Sequence, residues 1–273
     1  MATIPLEDNY NDVIGKAVRG LRVEREALAA KAGLPPEAVL RLIDGEFDEA
    51  AARAVAPHLN LGADALAALG AGTYAPDATA PDGLLGFNTA FDDYFVNAYV
   101  VWDPATRRAV AFDTGSDVAP MLEAAKARGL TIELVLITHT HLDHIMKLDA
   151  LKAATGAAAY VSATEPTPGA EPIEPGRRFE VGALTIEARR TSGHSKGGIS
   201  YVVTGLSAPL VVVGDALFAG SMGGGLVSFE DALANNRREI FSLEDRTVIC
   251  PGHGPLTTVG LEKRHNPFYP EFR

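Results

Sequence analysis

One cysteine, Cys250, is all that this chain of 273 residues contains. No intramolecular disulfide can form, and the chain reads as one kept in a reducing compartment. The thiol lies in the apolar run "TVIC", the setting of a buried inert side chain rather than of a nucleophile. No stretch reaches the ~18 uncharged apolar residues of a membrane span, and the start, "MATIPLEDNYND", lacks the basic and apolar segments of a signal peptide. A cytoplasmic protein with no membrane partner is the expectation. Basic charge is also short: 24 Lys and Arg face 35 Asp and Glu, for a net charge of -11. Such a surface repels polyanions, and no local basic patch offsets it, so nucleic acid is a poor partner.

Apolar residues make up 47% of the chain and charged residues 22%, the balance of a packed globular fold. Residues 1–72 read as a small all-α domain of about five short helices, with Ala and Leu at helical spacings punctuated by Gly33-Leu34-Pro35-Pro36, Gly45 and Asn60-Leu61-Gly62. Residues 73–83, rich in Pro, Gly, Ala and Asp, suit a linker. From 84 to 273 the pattern becomes α/β: "YFVNAYVVWD", "RAVAFD", "IELVLITH", "AAAYVS", "ALTIEAR", "ISYVVTG", "PLVVVGD" and "RTVICPGH" are strand candidates. "VAPMLEAAKARGL" and "FEDALANNRREIF" are helix candidates between them.

Five of the seven histidines fall at the ends of those strands. The segment "THTHLDH", Thr138 to His144, follows the apolar run "IELVLI" and packs three histidines around Asp143. In a locally extended H-x-H segment His139 and His141 point the same way, while Asp143 and His144 diverge, so one short loop can serve two cations. Asp113, Asp215 and His253 each close another strand, and His194, in "RRTSGHSKGG", follows one more loosely. Imidazole nitrogens and carboxylate oxygens are ligands that zinc, iron and manganese accept. A lone histidine at a strand end is usually structural, but three within six residues, joined by an aspartate, would be costly to bury without a cation.

The run His139-Thr140-His141-Leu142-Asp143-His144, followed by His194, Asp215 and His253, resembles the metallo-β-lactamase fold superfamily of hydrolases. The tail "PGHGPLTTVGLEKRHNPF" is similar to the compact glyoxalase II-like branch. The resemblance implies an αββα sandwich with the metal site at one edge. It implies that His139, His141 and His194 hold one divalent metal and Asp143, His144 and His253 a second, with Asp215 bridging them. Zinc is the first expectation for both ions, with iron or manganese as alternatives. Asp143 and Asp113 are the catalytic candidates, Asp113 as the carboxylate that fixes the tautomer of a ligand histidine. The implied activity is hydrolysis of a small ester, thioester or lactone by a hydroxide bridging the metals, whose coordination lowers the pKa of water towards ~7.

Where relatives continue D-H-I-G-G, this chain has Asp143-His144-Ile145-Met146-Lys147. Lys147 and Lys196 are candidates to bind a substrate carboxylate, although solvated surface lysines is the plainer reading. The glycines of "AGSMGGGLVS" read as loop flexibility rather than a phosphate cradle, because no Walker-type Lys-Ser/Thr follows them. Met121, Met146 and Met222 read as core or pocket lining. The stretch "REALAAKAGLPPEAVLRLIDGE" resembles a Cro/repressor-type helix-turn-helix, whose reading helix would run from Pro36 to Ile43. Over residues 1–70, however, seven basic residues stand against eleven acidic ones. A helix-turn-helix that has lost DNA and packs on the catalytic domain or on a second subunit, leaving a homodimer open, fits that balance. Two other functions remain open on the residues. One is a mononuclear non-haem iron persulfide dioxygenase, using His139, His194 and Asp215. The other is a ligand-responsive DNA-binding regulator.

Overall fold

A computed structural model describes residues 4–272. Five helices open the chain: α1 (Tyr10–Leu21), α2 (Arg25–Ala32), α3 (Pro36–Ile43), α4 (Glu49–Val55) and α5 (Ala63–Gly70), with a short 3-10 turn over Ala56–Leu59. Asp12 reaches back to accept from the Asn9 backbone N–H at 2.9 Å, satisfying a donor that the first turn of α1 leaves free. The α3 face that stays in solvent carries Glu37, Leu40 and Arg41, and Val39 and Leu42 of the same helix are buried.

Two six-stranded sheets follow. The first runs β1 (Leu84–Phe91), β2 (Tyr94–Trp102), β3 (Arg108–Phe112), β4 (Thr131–Leu136), β5 (Ala158–Ser162), β6 (Glu171–Ile173) in spatial order. Its first three strands are antiparallel, and β3 to β6 are parallel. Helices α6 (Ala119–Arg128), α7 (Leu142–Ile145) and α8 (Leu148–Thr155) connect the parallel strands. The second sheet contains β7 (Arg178–Val181), β8 (Leu184–Arg190), β9 (Ile199–Thr204), β10 (Leu210–Gly214), β11 (Val248–Pro251) and β12 (Thr257–Thr258), in that spatial order. Helices α9 (Phe229–Glu239) and α10 (Val259–His265) accompany it. Ser228 caps α9 by accepting from Asp231 N–H at 3.1 Å, and Thr258 caps α10 in the same way through Leu261 N–H.

Side-chain alternation sorts these strands into layers. Leu210 and Val212 of β10 point into the core between the sheets, with Phe112, Leu136, Tyr201 and Cys250. Val211 and Val213 point the other way, into the core under the outer helices. On the far face of the first sheet, Ala109, Ala111 and Val135 meet Met121 of α6 and Leu151 of α8. The result is the αββα sandwich expected from the sequence.

The N-terminal helices have no core separate from it. Ile14, Leu28, Leu42 and Leu66 belong to the same buried cluster as Val211, Ile249, Phe268 and Tyr269. The Phe229 ring of α9 rests on Gly20 of α1, and Gly62 N–H donates to the Pro267 carbonyl at 2.8 Å. The segment 73–83 is tied down as well. Buried Tyr74 donates to Glu262 Oε1 at 2.7 Å, and that carboxylate also accepts from Thr257, Gly220 N–H and Asn266.

All eight strand candidates form strands. Beyond the reach of periodicity were β1, which Gly86, Asn88 and Thr89 interrupt, and the short strands β6, β7 and β12. The helices α7, α8 and α10 are four to eight residues long and also gave no clear helical stripe.

Candidate metal centre

Four chain segments end at one edge of the sandwich. β3 delivers Asp113, β4 leads through Ile137 and Thr138 to His139, β10 ends just before Asp215, and β11 leads to His253. Asp113 is a non-glycine residue in the left-handed region, at φ 55°, a conformation that L side chains adopt only at some cost. Held there, its carboxylate accepts from Thr138 N–H at 2.7 Å and Thr138 Oγ1 at 2.8 Å, and it lies 2.8 Å from His144 Nδ1. One aspartate therefore orients both the start of the metal loop and an imidazole near its end.

All seven expected ligands converge. His139, His141, His194 and Asp215 form one group and Asp143, His144 and His253 a second, each with its ligating atoms within 4.8 Å of one another. His141 Nδ1 lies 3.0 Å from His139 Nε2 and 3.1 Å from His194 Nε2. Asp215 reaches across both groups, 3.3 Å from His194 Nε2, 3.3 Å from His144 Nε2 and 3.4 Å from His253 Nε2. Asp143 Oδ2 lies 3.5 Å from His253 Nε2 and 3.6 Å from His144 Nε2.

The second ring nitrogens are anchored away from this centre. His139 Nδ1 meets Thr138 Oγ1 at 3.1 Å, His194 Nδ1 the Gly224 carbonyl at 2.9 Å, and His253 Nδ1 the Phe95 carbonyl at 2.6 Å. Each carbonyl needs the N–H on Nδ1, which leaves the Nε2 lone pair facing inward. Asn97 holds the His253 loop, donating to the carbonyls of Pro251 at 3.0 Å and Gly254 at 2.8 Å.

These donors fit divalent cations. His144 Nε2 and Asp215 Oδ1 are buried and have no hydrogen-bond partner of good geometry, although they lie 3.3 Å apart. The three imidazole nitrogens that meet here, His141 Nδ1 with His139 Nε2 and His194 Nε2, cannot all be satisfied by shared protons, but they can all donate lone pairs to one ion. Burial holds His139 well below the usual imidazole range and lowers His194, which keeps both neutral and able to ligate. For His144 and His253 burial is outweighed by carboxylates. Asp113 and Asp215 carry His144 up to about 10, and Asp215, Asp143 and the Phe95 carbonyl carry His253 up to about 11. Asp215 itself stays well below the carboxylate range, because His253 and His144 outweigh its burial. The second group is thus a place that favours positive charge.

Two glycines let the backbone close on this centre. A Cβ on Gly223 would lie 1.9 Å from the Asp215 carbonyl and 3.0 Å from His194 Nδ1, and one on Gly252 would lie 2.2 Å from Asp215 Oδ1. Close approach, not loop flexibility, is what the glycine at 223 provides. Lys147 and Lys196 do not line the cleft over the ligands, so the carboxylate-binding role considered for them has no support in its walls. Met121 and Met222 are core residues, but Met146 is exposed rather than packed.

The cleft has a volume of about 620 Å³. Its walls include three residues that sequence reasoning did not place there, Glu7 and Lys16 from the N-terminal segment and Phe218, together with Tyr94, an aromatic that fits core or pocket lining on sequence alone. Tyr94 OH stands 3.5 Å from Asp143 Oδ2, and burial with the Asp143 charge pushes its phenol up to about 12. Nothing local marked Glu7 or Lys16. They reach the cleft only because the N-terminal helices share a core with the second sheet.

A sandwich of this layering, with its ligands at the sheet edge, is that of a metal-dependent hydrolase superfamily. Residues 91–253 match the family described as Metallo-beta-lactamase superfamily, and the chain belongs to it. It is 30% identical over 165 residues to a hydroxyacylglutathione hydrolase of Pseudomonas entomophila (strain L48), covering 60% of this chain and 63% of that protein. The chain thus spans less than two thirds of that relative. Among solved structures, BLEG-1 B3 metallo-beta-lactamase superposes with a TM-score of 0.60 at 29% identity, over 68% of this chain and 99% of the other. TTHA1623 in a di-iron-bound form superposes with a TM-score of 0.56 at 28% identity, over 67% and 99% of the two chains. Among the described residues, no helix is long and apolar enough to cross a membrane.

Proposed function

We propose that this protein is a dinuclear metal hydrolase that cleaves a small ester, thioester or lactone, with the hydroxyacylglutathione hydrolase relative as an analogy in chemistry. The observation that carries the reading is the division of seven ligands into two adjacent groups spanned by one carboxylate, Asp215. His139, His141 and His194 would hold one ion, and Asp143, His144 and His253 the other. A pair of divalent cations supplies water acidic enough to act as a nucleophile near neutral pH, together with a Lewis acid for the carbonyl. Zinc suits these ligands, and iron suits them equally.

The chain's own residues do the rest. Asp113 fixes His144 through Nδ1 and Thr138 through its backbone, so the ligands are preset before substrate arrives. Asp143, lying between His144 and His253, is placed to orient the attacking water and to take its proton. Tyr94, 3.5 Å from Asp143, has its phenol kept protonated and can donate to the oxygen on which charge develops. The helices of residues 10–70 contribute packing and one wall of the cleft. The exposed face of α3 offers a single cation, Arg41, with Glu46 3.9 Å from it, which argues for a structural rather than a DNA-reading role.

The test is the metal content of the purified protein, alongside hydrolysis of a panel of esters, thioesters and lactones. Two ions per chain and metal-dependent turnover are expected. One iron per chain with oxygen uptake on persulfides would instead select the mononuclear dioxygenase.

A further inference from the structure

Away from the ligand cluster, the charge on the outer cleft walls has one sign once internal ion pairs are set aside. Lys16 is committed: its ammonium is paired with Asp8, donates to the Met222 carbonyl at 2.8 Å and lies 5.2 Å from the centre of the Phe218 ring. Asp8 is itself buried and also accepts from Ser221 Oγ at 2.6 Å, so this pair ties α1 to the glycine loop and presents no net charge to a ligand. Glu7 and Asp93 remain on the walls, and among the described residues neither carboxylate makes a hydrogen bond or an ion pair. No arginine lines the cleft.

We propose that the substrate of this cleft carries an alkylammonium group, received by Glu7 and Asp93 and by the aromatic faces of Phe91 and Tyr94. The proposal rests on the hydrolytic reading above and gives it a substrate class: a cationic, partly apolar ester or thioester.

Three observations converge on it. The first is the unpaired carboxylates, which form a negative patch on the outer wall, apart from the positive charge that metal ions would bring to the ligand side, and which a cationic group complements there. The second is aromatic: Phe91 and Tyr94 line the cleft and pack with ring centroids 5.4 Å apart, and such ring faces attract quaternary and primary ammonium groups. The third is the apolar rim. Eight large hydrophobics are exposed among the described residues, and three of them, Tyr94, Leu142 and Leu226, line the cleft. Leu226 is 74% exposed and Leu142 59%, and both line it, which suits an apolar acyl part. Burial raises the Glu7 carboxyl and the Asp8 and Asp215 charges add to this, while His253 opposes it, which puts Glu7 within electrostatic reach of the centre. It also lies outside the matched family segment, which begins at 91. The N-terminal addition thus supplies one of the two carboxylates, and the matched segment supplies Asp93 and the aromatic faces.

The test uses the full chain loaded with zinc. Calorimetry compares choline with its neutral isostere 3,3-dimethylbutanol, and kinetics compare butyrylthiocholine, ethyl thiobutyrate and S-butyryl-3-mercaptopropionate. Choline should bind about tenfold more tightly than the isostere, the size that two partly screened carboxylates can give. The values of kcat/KM should fall in the order cation, neutral, anion. In the Glu7→Gln, Asp93→Asn double variant both preferences should shrink towards unity, and Glu7→Lys should favour the anion. Equal binding of choline and the isostere, or a preference that survives the double variant, would overturn the proposal. If choline is preferred while none of the three thioesters is hydrolysed, the cation site stands and the hydrolytic reading falls.

Discussion

On the ligand side of the cleft, four of the five imidazoles have their second nitrogen tied to Asp113, Thr138 or a backbone carbonyl, whereas Glu7 and Asp93 on its outer walls are exposed and unpaired. The first arrangement orients the ring nitrogens towards one centre, as metal chemistry requires. The second leaves charge available to whatever enters. The difference separates what a superfamily shares from what one chain adds. Candidate ligands hang from buried strand ends, and the unpaired acids sit on a loop and on the segment before α1, which need only pack against that frame.

The largest expected effect lies on the ligand side. Asp215→Ala removes the one carboxylate common to both ligand groups, and thioester hydrolysis should fall on the order of 10³-fold or more, with metal content dropping below two per chain. A variant that keeps both ions and most of its activity would show that the bridge is not what joins the two groups.

Next in size is a test of whether the N-terminal helices are truly continuous with the second sheet. Ile14 is fully buried in the cluster they share. Ile14→Ala should cost about 2–5 kcal/mol, with thermal unfolding remaining a single transition that includes both regions. Two separate transitions would mean that the helices fold as their own unit and that Glu7 is held only loosely at the cleft.

Asp113→Asn acts through the ligands rather than on them. Its amide cannot accept from Thr138 N–H, Thr138 Oγ1 and His144 Nδ1 as the carboxylate does, and metal affinity should weaken about 10–100-fold in a chelator competition. Unchanged affinity would make the left-handed strain at Asp113 a local accident of the β3 turn rather than a device for setting His144.

The ligand side was readable in the sequence because its chemistry is local. His139, His141, Asp143 and His144 fall within six residues, and Asp113, Asp215 and His253 each close an apolar run that periodicity identifies as a strand. The other wall was not readable, since Glu7 looks like any surface acid until α1 is seen to pack beside Met222 and Phe218. Gly223 was misjudged for a related reason. A glycine run looks the same whether it is needed for motion or for a 1.9 Å conflict with the Asp215 carbonyl, and only the tertiary approach distinguishes them. Strand β1 escaped because its buried positions are irregular and its stability comes from pairing along the whole of β2.

The smallest expected effect concerns the tie between these regions. Glu262, fully buried, joins Tyr74 after the N-terminal helices, Gly220 at the start of the glycine loop, Thr257 and Asn266. Burial outweighs these four donors and raises its carboxyl above the ordinary value near 4.5. A carboxyl raised by folding contributes stability that is fully present below its unfolded value and is lost as pH rises through its folded one. Glu262→Gln places an amide NH₂ against donors and should destabilise the fold by about 1–3 kcal/mol. That variant has no titration at this position. In urea unfolding between pH 4 and 8, the advantage of the natural chain over Glu262→Gln should therefore be greatest at the acid end and shrink towards neutrality. An advantage that stays constant or widens with pH would show that the four donors, and not burial, set the charge of Glu262, so that the link between helices and cleft is an ionised one.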